Sequence, residues 1–212
     1  WPQTGRNKAL SALRKAYAFH FAGDQHLATV FHHGIDGWRD SIYSFCVPSI
    51  ANLYLRWWKP LEPGKNRRPG QDPILGDHLD GFHNKVTAIA VANPSPEKGG
   101  DRLTTRAAGF GVTRINKKTR DVTFICWPRN VDVSAKGAKP YPGWPFTFNQ
   151  LDNYGRKAAA YLPTLQINKP DQVVQVIHQA TGEIVYTLRI NGISFRPKVF
   201  AAGLYTVKVG EG

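Results

Sequence analysis

The sequence predicts an α+β protein in two parts: a β-rich main unit flanked by helices over residues 1–160, and a small antiparallel all-β sandwich module over 161–212. Three observations carry this. Short apolar runs rich in Val, Ile, Phe and Tyr recur along the chain and stop at Pro, Gly or Asn-Pro, the punctuation of strands. One early segment instead repeats its apolar residues at helical spacing. After residue 160 the runs shorten and crowd together, separated by turns such as Ala180-Thr181-Gly182 and Asn191-Gly192. Asn-Gly between apolar runs is a strong hairpin signal.

Trp1–Gly5 reads as a loop, and Arg6–Ala16 as a helix with Ala9, Leu10, Ala12, Leu13 and Ala16 on one stripe and Lys8, Arg14 and Lys15 outside it. Tyr17–Ala22 reads as a buried strand with aromatics on alternate positions. Ile42–Val47 is the next strand, stopped by Pro48. Ser49 then stands where a helix cap would, before a short helix over Ile50–Trp58 whose Tyr54, Trp57 and Trp58 belong to the core or a packing edge. Lys59–Gly81 is irregular, with four prolines and four glycines. It is too long for an idle connection and reads as a binding loop or lid, with Asp72, Asp77, His78 and Asp80 as solvated loop groups.

Lys85–Ala92 is a strand, and Pro94–Arg102 a polar turn. Arg106–Ile115 and Asp121–Trp127 form an antiparallel pair around the polar Asn116–Arg120 connection. Lys136–Pro145 is a second Gly/Pro/aromatic loop, and Gln150–Ala160 a short helix. The terminal module holds strands at Thr164–Asn168, Gln172–Gln179, Glu183–Ile190, Ile193–Val199 and Leu204–Val209. It carries no metal-spaced cluster or nucleophile pattern, so packing, adhesion or surface anchoring is its expected role.

The formal charge is +13, from 28 basic and 15 acidic side chains. That balance favours anionic partners. The cations are spread out, with short clusters at Lys65, Arg67, Arg68 and at Lys117, Lys118, Arg120. Nucleic-acid binding rests on charge alone, no binding motif supports it, and it is not expected. No apolar run is long enough to predict a membrane span. Cys46 and Cys126 each end an apolar strand, without the spacing of a zinc site. Buried thiols are favoured over one disulfide of an exported protein.

Chemistry concentrates in Tyr17–His33, which contains four of the seven histidines. Gly23 permits a sharp turn after the apolar run. Asp24 and His26 follow two residues apart, a spacing that faces both side chains the same way in extended backbone. On composition alone, the structural readings are favoured: Asp24 as a turn residue and His20 as a core residue.

The run Gly23-Asp24-Gln25-His26, with Phe45-Cys46-Val47-Pro48-Ser49 and Arg56-Trp57-Trp58-Lys59-Pro60, resembles the carboxyl-terminal part of alkaline phosphatase D-like (PhoD-like) metallophosphoesterases. The likeness continues more loosely to about residue 150. Related metallophosphoesterases have a late Gly-His-x-His motif supplying metal ligands, and PhoD-like proteins carry Asp at the first of those histidines, as Asp24 does here. The resemblance implies a metallophosphoesterase-type β-sandwich and a phosphatase or phosphodiesterase. It also implies a centre of two divalent or trivalent metal ions (calcium, iron, zinc or manganese) whose bound water is activated for attack. His26 and Asp24 are the implied metal and catalytic residues. Arg39 and Arg56 lie where a guanidinium clamps phosphate, although pairing with Asp36 or Asp40 explains Arg39 equally well. His20, His32 and His33 are candidates to orient the metal shell or protonate the leaving group.

The family's earlier motifs, an Asp-x-His, a Gly-Asp-x-x-Asp and an Asn-His pair, are absent upstream of Gly23. Gly76-Asp77-His78-Leu79-Asp80 matches the second by pattern, but follows the late motif in a Gly/Pro-rich stretch and reads as coincidental. The expected partners are therefore a separate amino-terminal polypeptide of the same enzyme and an anionic phosphate ester, and the expected location periplasmic or extracellular. The rival expectation is a non-catalytic extracellular structural or assembly protein that retains the scaffold.

Overall fold

The computed structural model describes residues 2–95 and 105–210. Helix α1 runs Gln3–Lys15, beginning earlier than the sequence suggests, with Arg14 and Lys15 in its last turn, where cations favour the dipole. Its buried residues are Arg6, Leu10 and Arg14, a stripe at i, i+4 and i+8. Ala9, Ala12 and Ala16 of the expected apolar stripe face solvent. The arginines win because carbonyls await them. Arg6 donates to Gly34 O and Lys85 O, and Arg14 to Asp40 O.

The main unit is two packed sheets. The first holds β1 (His20–Ala22), β2 (Ala28–His33), β3 (Tyr43–Cys46), β4 (Gly76–Leu79) and β5 (Lys85–Ala92) in the order β1-β3-β2-β5-β4. All its pairs are antiparallel except β1 with β3. The second holds β6 (Gly109–Ile115), β7 (Asp121–Pro128) and β8 (Phe146–Asn149), antiparallel in chain order. Between the sheets lie Ala28, Val30, Phe45, Ala90, Val122, Phe124, Cys126, Trp144 and Phe148. The approach is close enough that a Cβ on Gly111 would collide with Val47 and Phe45. Cys46 and Cys126 are buried free thiols.

The remaining strands are β9 (Ala160–Tyr161), β10 (Leu165–Gln166), β11 (Val173–His178), β12 (Glu183–Arg189), β13 (Ser194–Phe195), β14 (Lys198–Val199) and β15 (Tyr205–Val209). They form a β12-β11-β15 sheet and the pairs β10–β13 and β14–β9. Their core, Val174, Val176, Tyr186, Leu188, Val199 and Phe200, also takes in Tyr17 and Tyr154 from before residue 160. The module therefore completes its core with residues of the main unit. Tyr17 stands at φ 51 and ends no strand. The expected buried strand over Tyr17–Ala22 reduces to the edge strand β1, whose His20 and Phe21 are exposed.

Two expected helices change. Ile50–Trp58 is irregular among the described residues. Ile50, Leu53, Tyr54 and Trp57 recur at helical spacing, yet all four are exposed. The N–H of Tyr54 donates to His26 Nδ1 and that of Trp58 to Asn93 Oδ1, so side chains outside the segment take bonds a helix would need. Gln150–Tyr154 is a single 3-10 turn capped by Asn149. The expected polar turn at Pro94–Arg102 lies largely outside the described residues.

Asn153 joins the parts. Its side chain is fully buried. Oδ1 accepts from Tyr43 N at 2.9 Å, and Nδ2 donates to Tyr17 O at 3.1 Å and Ala18 O at 2.6 Å. Asn153→Ala leaves one part-buried donor, one buried carbonyl and one part-buried carbonyl without that partner. The expected loss is about 3 kcal/mol or more, measured as a lowered urea midpoint at unchanged m-value. A change within about 0.5 kcal/mol would show that the site relaxes around the deletion.

Candidate functional site

The chain leaves β1 and crosses the end of β3 to reach β2, because β3 lies between them. Asp24 and His26 sit in this five-residue crossing, Gly23–Leu27. Val47 N donates to Ala22 O at 2.9 Å, which fixes its start. Asp24 stands at φ 61, a left-handed position that Asp tolerates better than most residues. Leu27 N donates back to Gln25 O, closing a three-residue turn centred on His26. The backbone is thus not extended here, and the expectation that Asp24 and His26 face one way by strand alternation does not apply. Asp24 precedes the turn and His26 stands at its centre.

Asp24 is exposed and its carboxylate makes no hydrogen bond or ion pair among the described residues. His26 is half-buried. Its Nδ1 accepts from Tyr54 N at 3.2 Å, and the Tyr54 ring lies 6.0 Å from the imidazole. A backbone N–H aimed at Nδ1 keeps the neutral ring's proton on Nε2. Below it, Asn52 is fully buried and donates through Nδ2 to His26 O at 3.0 Å and Arg106 O at 2.6 Å. Sequence reasoning missed Asn52, since an asparagine inside an apolar stripe signals nothing until its two carbonyl partners, far apart in the chain, are known.

The other sequence candidates lie elsewhere. His20 is exposed on β1, with Nδ1 3.0 Å from Ser44 Oγ. His32 and His33 occupy the far end of β2. His32 is buried, donates from Nε2 to Ser41 O at 2.9 Å and stacks on Tyr43 at 3.9 Å. Burial and the nearby Arg39 push its pKa down to about 4, against a partial rise from the Ser41 bond. His33 Nδ1 accepts from Arg6 Nη2 at 3.1 Å, and burial with the Arg6 charge lowers its pKa to about 3. No hydrogen bond or ring contact links these three histidines to Asp24 or His26 among the described residues. Arg56 is exposed.

Arg39 is engaged, but by neither expected carboxylate. Its Nη2 lies 2.9 Å from Asp77 Oδ1 and its Nε 3.3 Å from Thr87 Oγ1. Asp77 also accepts from Thr87 Oγ1 at 2.6 Å and Asn66 Nδ2 at 2.9 Å. His32, Thr87 and Asp77 stand opposite one another across β2, β5 and β4. Gly76–Leu79 is therefore a strand, not loop, and Asp77 and His78 are buried rather than solvated. The acid is sheltered because Arg39, Thr87 and Asn66 satisfy its oxygens.

The donor chemistry limits what the chain does alone. Among the described residues no three His, Cys, Asp or Glu side chains converge as a metal site. Asp24 offers a free carboxylate, but the Nδ1 of His26 is occupied and its Nε2 carries a proton in this geometry. These residues by themselves do not fit a two-metal centre. No family model, curated protein or solved structure matches the chain. No described helix is long and apolar enough to cross a membrane.

His32 and His33 make stability depend on pH. Their folded values lie below the ordinary 6.5, so the unfolded chain takes up protons first as pH falls. Their contribution is complete above about 6.5 and is lost as pH drops toward 4 and 3. Between pH 7 and 5 the expected loss is about 2 kcal/mol per histidine. Urea midpoints at the two values measure it. His32→Gln keeps a donor for Ser41 O without titrating, so it should shallow the slope. An unchanged slope would refute a lowered His32 pKa.

Proposed function

We propose that this chain is part of a metal-dependent phosphoric ester hydrolase, a PhoD-like phosphatase or phosphodiesterase with a metallophosphoesterase-type sandwich, completed by a separate amino-terminal polypeptide. The observation that carries the reading is the Gly23–Leu27 crossing. It carries an exposed, uncommitted carboxylate and a half-buried imidazole two residues apart in one short crossing, on the residues that bear the family likeness. The net charge of +13 suits an anionic ester.

Within that reading the chain's own groups have defined tasks. Asp24 would supply one anionic oxygen ligand to a metal otherwise held from outside the chain. His26, proton held on Nε2 by the Tyr54 N–H, donates a hydrogen bond from Nε2 to a phosphate oxygen. Protonating the leaving oxygen would need an imidazolium, which requires the Tyr54 bond to Nδ1 to break. Direct metal binding through Nε2 would require the Tyr54 bond to break and the proton to leave. Arg56 remains available for phosphate, whereas Arg39 would first have to release Asp77. Two metals, export to the periplasm or cell exterior, and a phosphate ester substrate belong to the same proposal. The competing reading, a non-catalytic assembly protein, draws on the absence of a converging ligand set among the described residues.

Native mass and metal analysis of the assembly purified without denaturation separates the two. The expected result is a second polypeptide with about two metal ions per pair and hydrolysis of p-nitrophenyl phosphate or its bis ester. A metal-free chain without a partner would overturn the catalytic reading. In the active assembly, His26→Ala should lower kcat by about 100-fold or more. Asp24→Asn, which keeps a residue tolerant of positive φ, should release metal. Full metal content in Asp24→Asn would remove Asp24 from the ligand set.

A further inference from the structure

A cleft of about 580 Å³ lies along the seam between the main unit and the terminal module. One wall is the β6–β7 turn with Ile115, Lys117 and Arg120, and the other is the end of β12 with Leu188, Arg189 and Ile190. Phe19 and Val122 lie between them. Its size falls within the range of small-molecule sites.

The seam is held open at a fixed width. Arg120 crosses it, donating through Nη1 to Gln150 Oε1 at 3.0 Å and through Nη2 to Arg189 O at 2.5 Å. Asn191 Nδ2 reaches Lys118 O at 3.3 Å. Because these bonds end on neutral oxygens, they orient Arg120 without neutralising it. Neither Lys117 nor Arg120 forms an ion pair among the described residues. Asp171 is the one carboxylate in the lining, and its Oδ1 is engaged by Gly192 N at 2.7 Å. The partly exposed Phe19 and the exposed Ile115 thus share this small volume with the held Arg120 guanidinium and the exposed Lys117, while Val122, Leu188 and Ile190 back it from the buried cores.

The geometry points to a binding site for a small amphiphilic anion. Its carboxylate, sulfate or phosphate group lies against Lys117 and Arg120, and its apolar body covers Phe19 and Ile115. The assignment is independent of the hydrolase reading, because no residue of the Gly23–Leu27 crossing lines the cleft. An anion here bridges two parts of the fold, so occupancy also stabilises the seam by mass action.

Naphthalene-2-sulfonate titrated into the full chain, followed by backbone amide shifts, tests this. The neutral 2-naphthol serves as comparator. Saturable shifts at Phe19, Lys117, Arg120 and Leu188–Asn191 are expected, with naphthol binding at least fivefold more weakly, the scale of a partly exposed charge contact. Lys117→Glu should weaken the sulfonate by roughly fivefold or more. Ala16→Trp, at an exposed position on the rim, should obstruct sulfonate and naphthol alike. Equal affinity for the two ligands, shifts scattered outside the cleft, insensitivity to both variants, or no saturation at millimolar ligand would each overturn the assignment.

Discussion

The buried amide of Asn153 is the constraint on which the arrangement depends. It reads three backbone groups at once, at the start of β3 and at the link between α1 and β1. Next to it in sequence, Tyr154 enters the second core with Tyr17, where their rings lie 5.6 Å apart and both meet Tyr186. One short turn therefore fixes where β1 begins, where β3 begins and where the terminal module sits. Hydrophobic burial supplies most of the drive in both cores, but it is non-directional. The amide supplies the registration.

Much of the β framework was legible in the chain. Lys85–Ala92 is a strand at the residues its alternation marks, and the Arg106–Ile115 and Asp121–Trp127 runs pair as their turn chemistry requires. The terminal strands β11, β12 and β15 fall within the runs read for them. These succeed because each is a local pattern meeting a local partner. The failures are long-range. Ile50–Trp58 carries a helical stripe, but His26 and Asn93 intercept its backbone donors. The strand Gly76–Leu79 hides in a Gly/Pro-rich stretch because only Arg39, Thr87 and Asn66 make a buried Asp77 tolerable.

The candidate site divides in the same way. The turn that carries Asp24 and His26 was legible, since Gly23 ends the apolar run before them, but the strand alternation expected to face them one way was not what the fold adopts. The tautomer of His26 was not visible, because it depends on an N–H twenty-eight residues away. Nor was the dispersal of His20, His32 and His33, which strand order and burial decide. Proximity in sequence suggested one cluster. The folded chain uses His32 and His33 as packed, hydrogen-bonded parts of the sandwich.

The crossing over β3 leaves β1 at the edge of the sheet. Strand β1 is only three residues long, and β3 is its one partner in that sheet. Its amides should therefore exchange with solvent through openings smaller than global unfolding, while those of β2 and β5 wait for the whole sandwich to come apart. Asp24 follows the end of β1, so its place depends on this short strand staying docked. His26 is held separately, by Tyr54 at Nδ1 and by Asn52 at its carbonyl, so the two residues can part without the protein unfolding.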